Sequence, residues 1–475
     1  MDIIQQIAAK MIEQVFEKIR LEGLSDIGKT IKALQPIVSD TILKIIRACI
    51  EAMDNALVDD AKAQRRKDGI TVKERNVERT FQTDLGDLKY NRTYFKLKDG
   101  NYAYLLDQII GVEPYERISK DLIAGILESS ASQSYQRAVE SSGQDISRQT
   151  VHNRLLAIKE VVTEIKRTEE TPKTLDMFAD EDHVHLNPKG SVIVPLVTIT
   201  EGIDTSNPKR HHTINPLHMA EYGMQIDAFR DNVVAVLCQR YDLEKVRQIN
   251  IHADGGTWIQ ELAHIIPNSR MAMDGFHLEK RLKAFLHLEG ARSYAGKVRE
   301  ALKDVNGLET LKKYCDAISQ KQTTEDNKTK VNDFYSYCST HWKSIVLRMN
   351  KEVCGSCTEP LVGHTLSGRL SRNPISWSKD GLSKMTMVVA YTKNGNHLSG
   401  SDIRIRPDKE TVHSFEEDGY AKYNDYAVKQ ANDFLNSVHD WSLFDSPGVI
   451  SGKVDGTYML RKSFGSFRSL ADLAC

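Results

Sequence analysis

Three acidic residues stand where metal-assisted chemistry is easiest to build: Asp180 on a predicted strand, Asp254 at the end of another, and Glu359 opening a predicted helix. In open α/β sheets, ligands gather outside the carboxyl ends of the strands. Carboxylates brought together there, with no basic residue in their own motifs, repel one another unless a divalent cation lies between them. Hard oxygen donors of this kind suit Mg²⁺ or Mn²⁺. Two such ions about 3.5–4 Å apart activate an attacking oxygen and stabilise the leaving oxygen of a phosphodiester. Asp182 falls on the same side of its strand as Asp180, so a period of two leaves either as the first acid. An Asp before Gly255-Gly256 is also an ordinary turn former, and only the company of the other two acids gives Asp254 a chemical reading.

The elements that must hold these acids follow from the pattern. Leu175 to Leu186 alternates, Pro188-Lys189-Gly190 offers a turn, and Ser191 to Thr200 completes a β-hairpin. Pro195 is awkward inside a central strand, so a bulge, or a strand that starts at Leu196, is expected there. A third strand near His211 to Met219, a helix from Asp227 to Leu243, and short strands at Ile249–Asp254 and Met271–Met273 give an α/β order with a mixed sheet. From Leu278 to Asn350 the chain reads as a charged helical insertion without strands. Glu359 to Leu370 is a helix with Pro360 in its opening turn, where a missing N–H costs little, and Asn373-Pro374 stops it.

Upstream, apolar residues recur every three or four positions from Ile4 to Cys49, marking amphipathic helices. Gly23 and Pro36 should divide them into two or three, which either pack on the rest of the chain or form a dimerisation arm. Residues 61–100 hold eleven Lys/Arg against six Asp/Glu, in a stretch that reads as a basic β-meander. Ser119 to Ser129 is helical. Ser134 to Glu140, Gly143 and Ile146 to Leu155 then form a helix, a turn and a second helix, the helix-turn-helix pattern. With Ser147 as N-cap, Arg148, Gln149, Thr150, Asn153 and Arg154 project from the second helix, where they could meet bases and phosphates in a major groove. An ordinary helical hairpin would show the same pattern. Further on come a basic stretch at Ile403–Arg406, an amphipathic helix from Tyr420 to Leu435 and a Gly/Ser-rich end.

A chain of 475 residues is too long for one core and predicts roughly three domains. No apolar run approaches the ~20 residues of a membrane helix. Lys+Arg at 64 against Asp+Glu at 65 exclude a uniformly basic polyanion binder but permit a local basic face. The opening Met1-Asp2-Ile3-Ile4 lacks a secretory leader pattern, so a cytosolic protein is expected. Seven scattered cysteines predict reduced thiols. Cys354-Gly-Ser-Cys357 with His252 or His364 could assemble a zinc site, although structural zinc motifs usually show both halves. No Walker-type phosphate loop is present.

Ala179-Asp-Glu-Asp-His-Val-His-Leu186, Ala253-Asp-Gly-Gly-Thr-Trp-Ile259, Asp274-Gly-Phe-His-Leu-Glu-Lys280 and Cys357-Thr-Glu-Pro-Leu-Val-Gly-His364, followed by Arg369-Leu-Ser-Arg372 and Trp377-Ser378, resemble the DDE transposases of a bacterial insertion-sequence family related to the Mutator-like superfamily. Arg92-Thr-Tyr-Phe95, Leu105-Leu-Asp107, Ser134-Tyr-Gln-Arg137 and Ser147-Arg-Gln-Thr-Val151 resemble the same family's N-terminal part. The likeness runs in order from about Arg79 to Asn396. It implies a ribonuclease-H-like mixed-sheet core split by an all-helical insertion, with Asp180, Asp254 and Glu359 as the three acids holding two Mg²⁺ or Mn²⁺ ions. Asp274 and His277 match the family's Asp-x-x-His element, in which His277 would approach the scissile phosphate or orient a carboxylate; beside Phe276 it is equally a core histidine. Pro360 follows the third acid where the family more often has Gly.

The resemblance further implies double-stranded DNA partners, both terminal inverted repeats and target, and an assembly of at least two protomers. The expected division is 1–60 N-terminal helices, 61–110 meander, 111–172 helix-turn-helix region, 173–277 and 351–396 catalytic core, 278–350 insertion, and 397–475 of unassigned role. Two rivals remain. A catalytically inactive DNA-binding derivative would be expected to have lost an acid, and a stand-alone metal-dependent nuclease would need no end-binding region.

Overall fold

Strict alternation in the chain is what builds the sheet, and the computed structural model describes it within residues 3–23, 26–161, 163–188, 190–207, 211–372, 375–403 and 418–436. Asn373-Pro374, Arg404 to Arg406 and the Gly/Ser-rich end lie outside the described residues. The chain divides into two compact units: one holds residues up to Ser119 together with the helix Asp418–Asn436, and the other spans Lys120–Pro407. Among the described residues no helix is long and apolar enough to cross a membrane.

In the first unit α1 (Ile3–Glu22) ends at Gly23, whose φ of +71° suits glycine, and α2 (Ile27–Val58) starts from Asp26, which accepts a hydrogen bond from Lys29 N at 3.1 Å. Pro36 does not divide α2, contrary to the expectation from sequence: the helix runs 32 residues through it. Packing against α1 and the meander offsets the one backbone bond a proline removes. α2 leaves Ile27, Ile31, Val38, Ile42 and Ile46 exposed at helical spacing. After α3 (Lys62–Lys67), β1 (Thr71–Thr83), β2 (Gly86–Lys96) and β3 (Tyr102–Ala103) form the antiparallel meander.

The meander is less basic at its surface than its composition. Arg79 and Arg92 turn inward to Asp107 of α4 (Leu105–Ile109), with Arg79 Nη1 2.5 Å from its Oδ2, and Tyr90 donates to Oδ1 at 3.0 Å. Arg65 donates to the carbonyls of Leu57 and Val58. Buried charges need such partners, so three of the eleven cations serve the core rather than a polyanion. The helix Asp418–Asn436 packs on α2, burying Tyr423 and Ala427.

The second unit opens with α5 (Lys120–Ser130), α6 (Tyr135–Ser142) and α7 (Arg148–Leu156). Gly143, at φ +68°, turns the chain between α6 and α7, and Ser147 caps α7 by accepting from Thr150 N at 3.1 Å. Then follow β4 (Thr174–Leu186), β5 (Gly190–Thr200), a small ribbon of β6 (Ile203–Asp204) and β7 (His212–Thr213), β8 (Leu217–Ala220), α8 (Ile226–Arg240), β9 (Gln248–Ala253), α9 (Thr257–Ile265) and β10 (Ser269–Met273). The five-stranded sheet is ordered β10-β9-β4-β5-β8; β4, β5 and β8 run antiparallel, and β4, β9 and β10 parallel. Pro195 causes no bulge: β5 is continuous, with Pro195 opposite Glu181. It lies one residue before pairing with β8 begins at Leu196, where β5 still has one unpaired side.

Period two sorts the faces. Leu175, Met177, Ala179, Ile249, Ile251 and Ala253 join Phe229, Val233, Ile259 and Leu262 in the core beneath α8 and α9. Asp176, Phe178, Asp180, Asp182, Asn250 and His252 occupy the opposite face. Between β10 and Glu359, helices α10 (Gly275–Leu286), α11 (Ala295–Ala301), α12 (Leu308–Ser319), α13 (Glu325–Thr340) and α14 (Trp342–Met349) enclose their own core around Leu282, Leu311, Phe334 and Ile345. α15 (Thr358–Val362) continues through a π-helical turn, Gly363–Ser367, into α16 (Gly368–Leu370), and α17 (Lys379–Lys393) follows.

Candidate active site

Asp180 of β4, His277 of α10 and Glu359 of α15 converge, each offering an oxygen or nitrogen atom within 4.8 Å of the other two. The local reasons are separate. β4 aims Asp180 at the polar face; Asp274, at the N-cap of α10, accepts from Phe276 N at 3.1 Å and so fixes the turn that carries His277; and the α15 N-terminus presents Glu359 in its first turn with Pro360 beside it. His277 Nε2 lies 3.2 Å from Glu359 Oε1 without an aligned hydrogen bond. Their side chains are 27 % and 46 % exposed, so the cluster opens to solvent.

Burial pushes the Asp180 carboxyl up to about 7, and the neighbouring charges of Asp254 and Glu359 push the same way; donation from Glu181 N at 2.9 Å and the proximity of His277 oppose it. A carboxyl held this far above its ordinary range is where a cation would displace a proton. The fit to a divalent ion therefore rests on two carboxylates and an imidazole whose Nε2 has no hydrogen-bond partner.

Asp254 lies at the end of β9, close enough to Asp180 to perturb it but outside that cluster. Its Oδ1 accepts from Gly256 N at 2.8 Å. Gly255, at φ +100°, has no room for a side chain, because a Cβ there would lie 2.5 Å from the His341 ring. His341 follows α13 in the insertion, and burial lowers its pKa while Asp254 opposes the shift. No local sequence signal announces this contact.

Asp182 does something else. It is buried, accepting from Ser367 Oγ at 3.0 Å and from Ser371 Oγ at 2.8 and 3.0 Å. The π-helical turn after Glu359 carries Ser367 toward it, so Asp182 latches β4 to the helix that carries the third acid. Of the two aspartates that a period of two leaves open, Asp180 meets Glu359 and Asp182 does not. Asp274 also misses the cluster; it caps α10 and accepts from Ser356 Oγ. Glu181 accepts from Trp258 Nε1 at 3.0 Å, and Arg369 is buried between the Tyr135 and Trp377 rings with its Nε donating to the Ser130 carbonyl at 2.6 Å. On α7, Arg148, Gln149 and Asn153 are exposed, Thr150 and Arg154 half-buried, and Gln149 donates to Asn153 at 2.9 Å.

The model of an uncharacterised protein family, UPF0236, matches residues 24–406. The chain belongs to this family. Its relatives include UPF0236 proteins of Caldanaerobacter subterraneus subsp. tengcongensis: one is 32 % identical over 402 residues, covering 84 % of this chain and 85 % of the relative, and its name joins four locus designations. Another is 31 % identical over 405 residues, covering 84 % and 85 %, and its name joins eleven. The UPF0236 match takes in the whole sheet, the insertion and all three acids.

Proposed function

We propose that this UPF0236 protein is a DDE-type DNA transposase. The observation that carries the reading is the convergence of Asp180, His277 and Glu359, with Asp254 just after the adjacent parallel strand, on a mixed sheet ordered β10-β9-β4-β5-β8, which supports a ribonuclease-H-like core. The helical insertion between Asp254 and Glu359 agrees with the resemblance in sequence. Relatives whose names join four and eleven loci of one strain fit a coding sequence that multiplies within a genome, as mobile elements do.

Bound Mg²⁺ or Mn²⁺, two ions in this reading, would supply Lewis-acid activation of the attacking oxygen and neutralise charge on the leaving one. Asp180, Glu359 and Asp254 would be the carboxylates that hold the ions. His277, with Nε2 unbonded, donates to a phosphate oxygen or steadies Glu359. Water first displaces a 3′-oxygen at the element end; the freed 3′-OH then displaces a 3′-oxygen of target DNA. Both are in-line displacements at phosphorus, so one site serves both. In α6–Gly143–α7, a helix-turn-helix in this reading, Arg148, Gln149, Thr150, Asn153 and Arg154 face DNA. Two ends require two protomers, and the exposed apolar row of α2 is the candidate contact.

The test is Mg²⁺-dependent nicking of DNA that carries the repeats flanking the gene. Wild type and Asp182→Asn, if folded, should nick at the element end, while Asp180→Asn and Asp254→Ala should not. Nicking by Asp254→Ala contradicts the mechanism. Nicking without preference for the ends makes the chain a stand-alone nuclease.

A further inference from the structure

A second cluster lies on the same sheet face, and it has the wrong chemistry for magnesium. Asp176 of β4, His252 of β9 and Cys354, in the loop between α14 and α15, place a carboxylate oxygen, an imidazole nitrogen and a sulfur within 4.8 Å of one another. His252 is wholly buried and Asp176 nearly so. His252 Nε2 is 2.9 Å from Asp176 Oδ1 and 3.5 Å from Cys354 Sγ. Cys357, completing Cys-x-x-Cys, stands outside that trio at the N-cap of α15, three residues beyond Cys354. We propose that Asp176, His252, Cys354 and Cys357 form a structural zinc site.

Two thiolates with an imidazole and a carboxylate are a soft, four-donor set that selects zinc over magnesium, and Cys-x-x-Cys is an ordinary spacing for half of such a site. The second half, which the sequence does not show as a pair, comes from neighbouring strands. Arg348 is the residue that must yield. Its Nη2 donates to His252 Nδ1 at 2.6 Å, which leaves the proton on Nε2, the atom the metal needs. The structure offers it another partner: Asp274 is buried, its Oδ2 has no hydrogen-bond partner, and its charge already acts on Arg348. On zinc binding the imidazole proton moves to Nδ1, the two thiols release theirs to solvent, and Arg348 turns to Asp274 and the thiolates.

The placement gives the site its purpose. Asp176 and Asp180 share β4, Asp254 stands two residues after His252 at the end of β9, and Cys357 and Glu359 flank the start of α15. Zinc would therefore clamp together the three elements that carry the acids, one layer below them. This inference holds whether or not the chain cuts DNA.

The full chain, expressed with zinc in the medium, should contain one tightly held zinc per molecule by elemental analysis. Exchange for Co²⁺ should give an intense thiolate-to-cobalt band in the near ultraviolet with tetrahedral visible bands. Cys357→Ser should weaken that band, and Asp176→Asn should alter the visible bands. Should either variant fail to fold, the wild type decides: zinc should shield two thiols from a disulfide reagent, and chelation should expose them. A folded wild type with no zinc and no cobalt–thiolate band overturns the site. Cobalt bound without a thiolate band overturns the ligand set.

Discussion

Replacing Asp180 with Asn should make the protein more stable at alkaline pH while removing its proposed activity. The carboxyl is raised from an ordinary 3.8 to about 7, so the native state binds its proton more tightly than the unfolded chain. Such a group contributes nothing unfavourable below pH 4, and it lowers stability progressively as pH climbs from about 4 to 7. At about 1.4 kcal/mol per tenfold change in proton affinity the full cost is about 4 kcal/mol, and partial solvation reduces it to roughly half. Asn carries no such cost. For the unit Lys120–Pro407, about 2 kcal/mol is a rise of roughly 3 °C in Tm. The assay is thermal unfolding of wild type and Asp180→Asn at pH 4 and pH 8 with chelator present. The two should melt together at pH 4 and separate at pH 8, with the variant higher. An Asp180→Asn protein no more stable than wild type at pH 8 refutes the idea that the site stores repulsion for a cation.

Other residues yield sharper contrasts. Asp182→Ala leaves the Ser367 and Ser371 hydroxyls without their acceptor and should cost roughly 2–4 kcal/mol in urea unfolding, unlike the gain at Asp180. Gly255→Ala forces a side chain against His341 at positive φ; it should abolish nicking, and His341→Ala should restore part of the stability but not relieve the backbone strain. Arg148→Ala and Arg154→Ala should weaken DNA binding and lower the slope of log affinity against log salt by about one for each phosphate left without its cation. Unchanged slopes would remove α7 from the DNA interface.

Much of the sheet was legible because alternation is local: β4, β5, β9 and β10 and the strandless insertion all follow from apolar period. Pro36 and Pro195 misled for one reason. Proline's cost depends on whether its missing donor had a partner, and that is set by neighbours distant in sequence. The same limit applies to charge, since composition counts Arg79 and Arg92 as basic surface while a buried Asp107 claims both. For the site, residue type and order singled out Asp180 or Asp182, Asp254 and Glu359, and the family resemblance added Asp274 and His277; of these the structure brings Asp180, His277 and Glu359 together. The choice between Asp180 and Asp182, the packing of His341 on Gly255 and the union of Asp176 with Cys354 required strand pairing and the folded insertion.

Strand transfer tests the central claim most directly. Precut DNA ends bearing the element's repeats are incubated with the protein, Mg²⁺ and a supercoiled target plasmid. Wild type should join the 3′-OH ends to the plasmid, and Glu359→Gln, folded and still binding the ends, should not. Joined product from Glu359→Gln, or none from a wild type that binds those ends, would contradict the account.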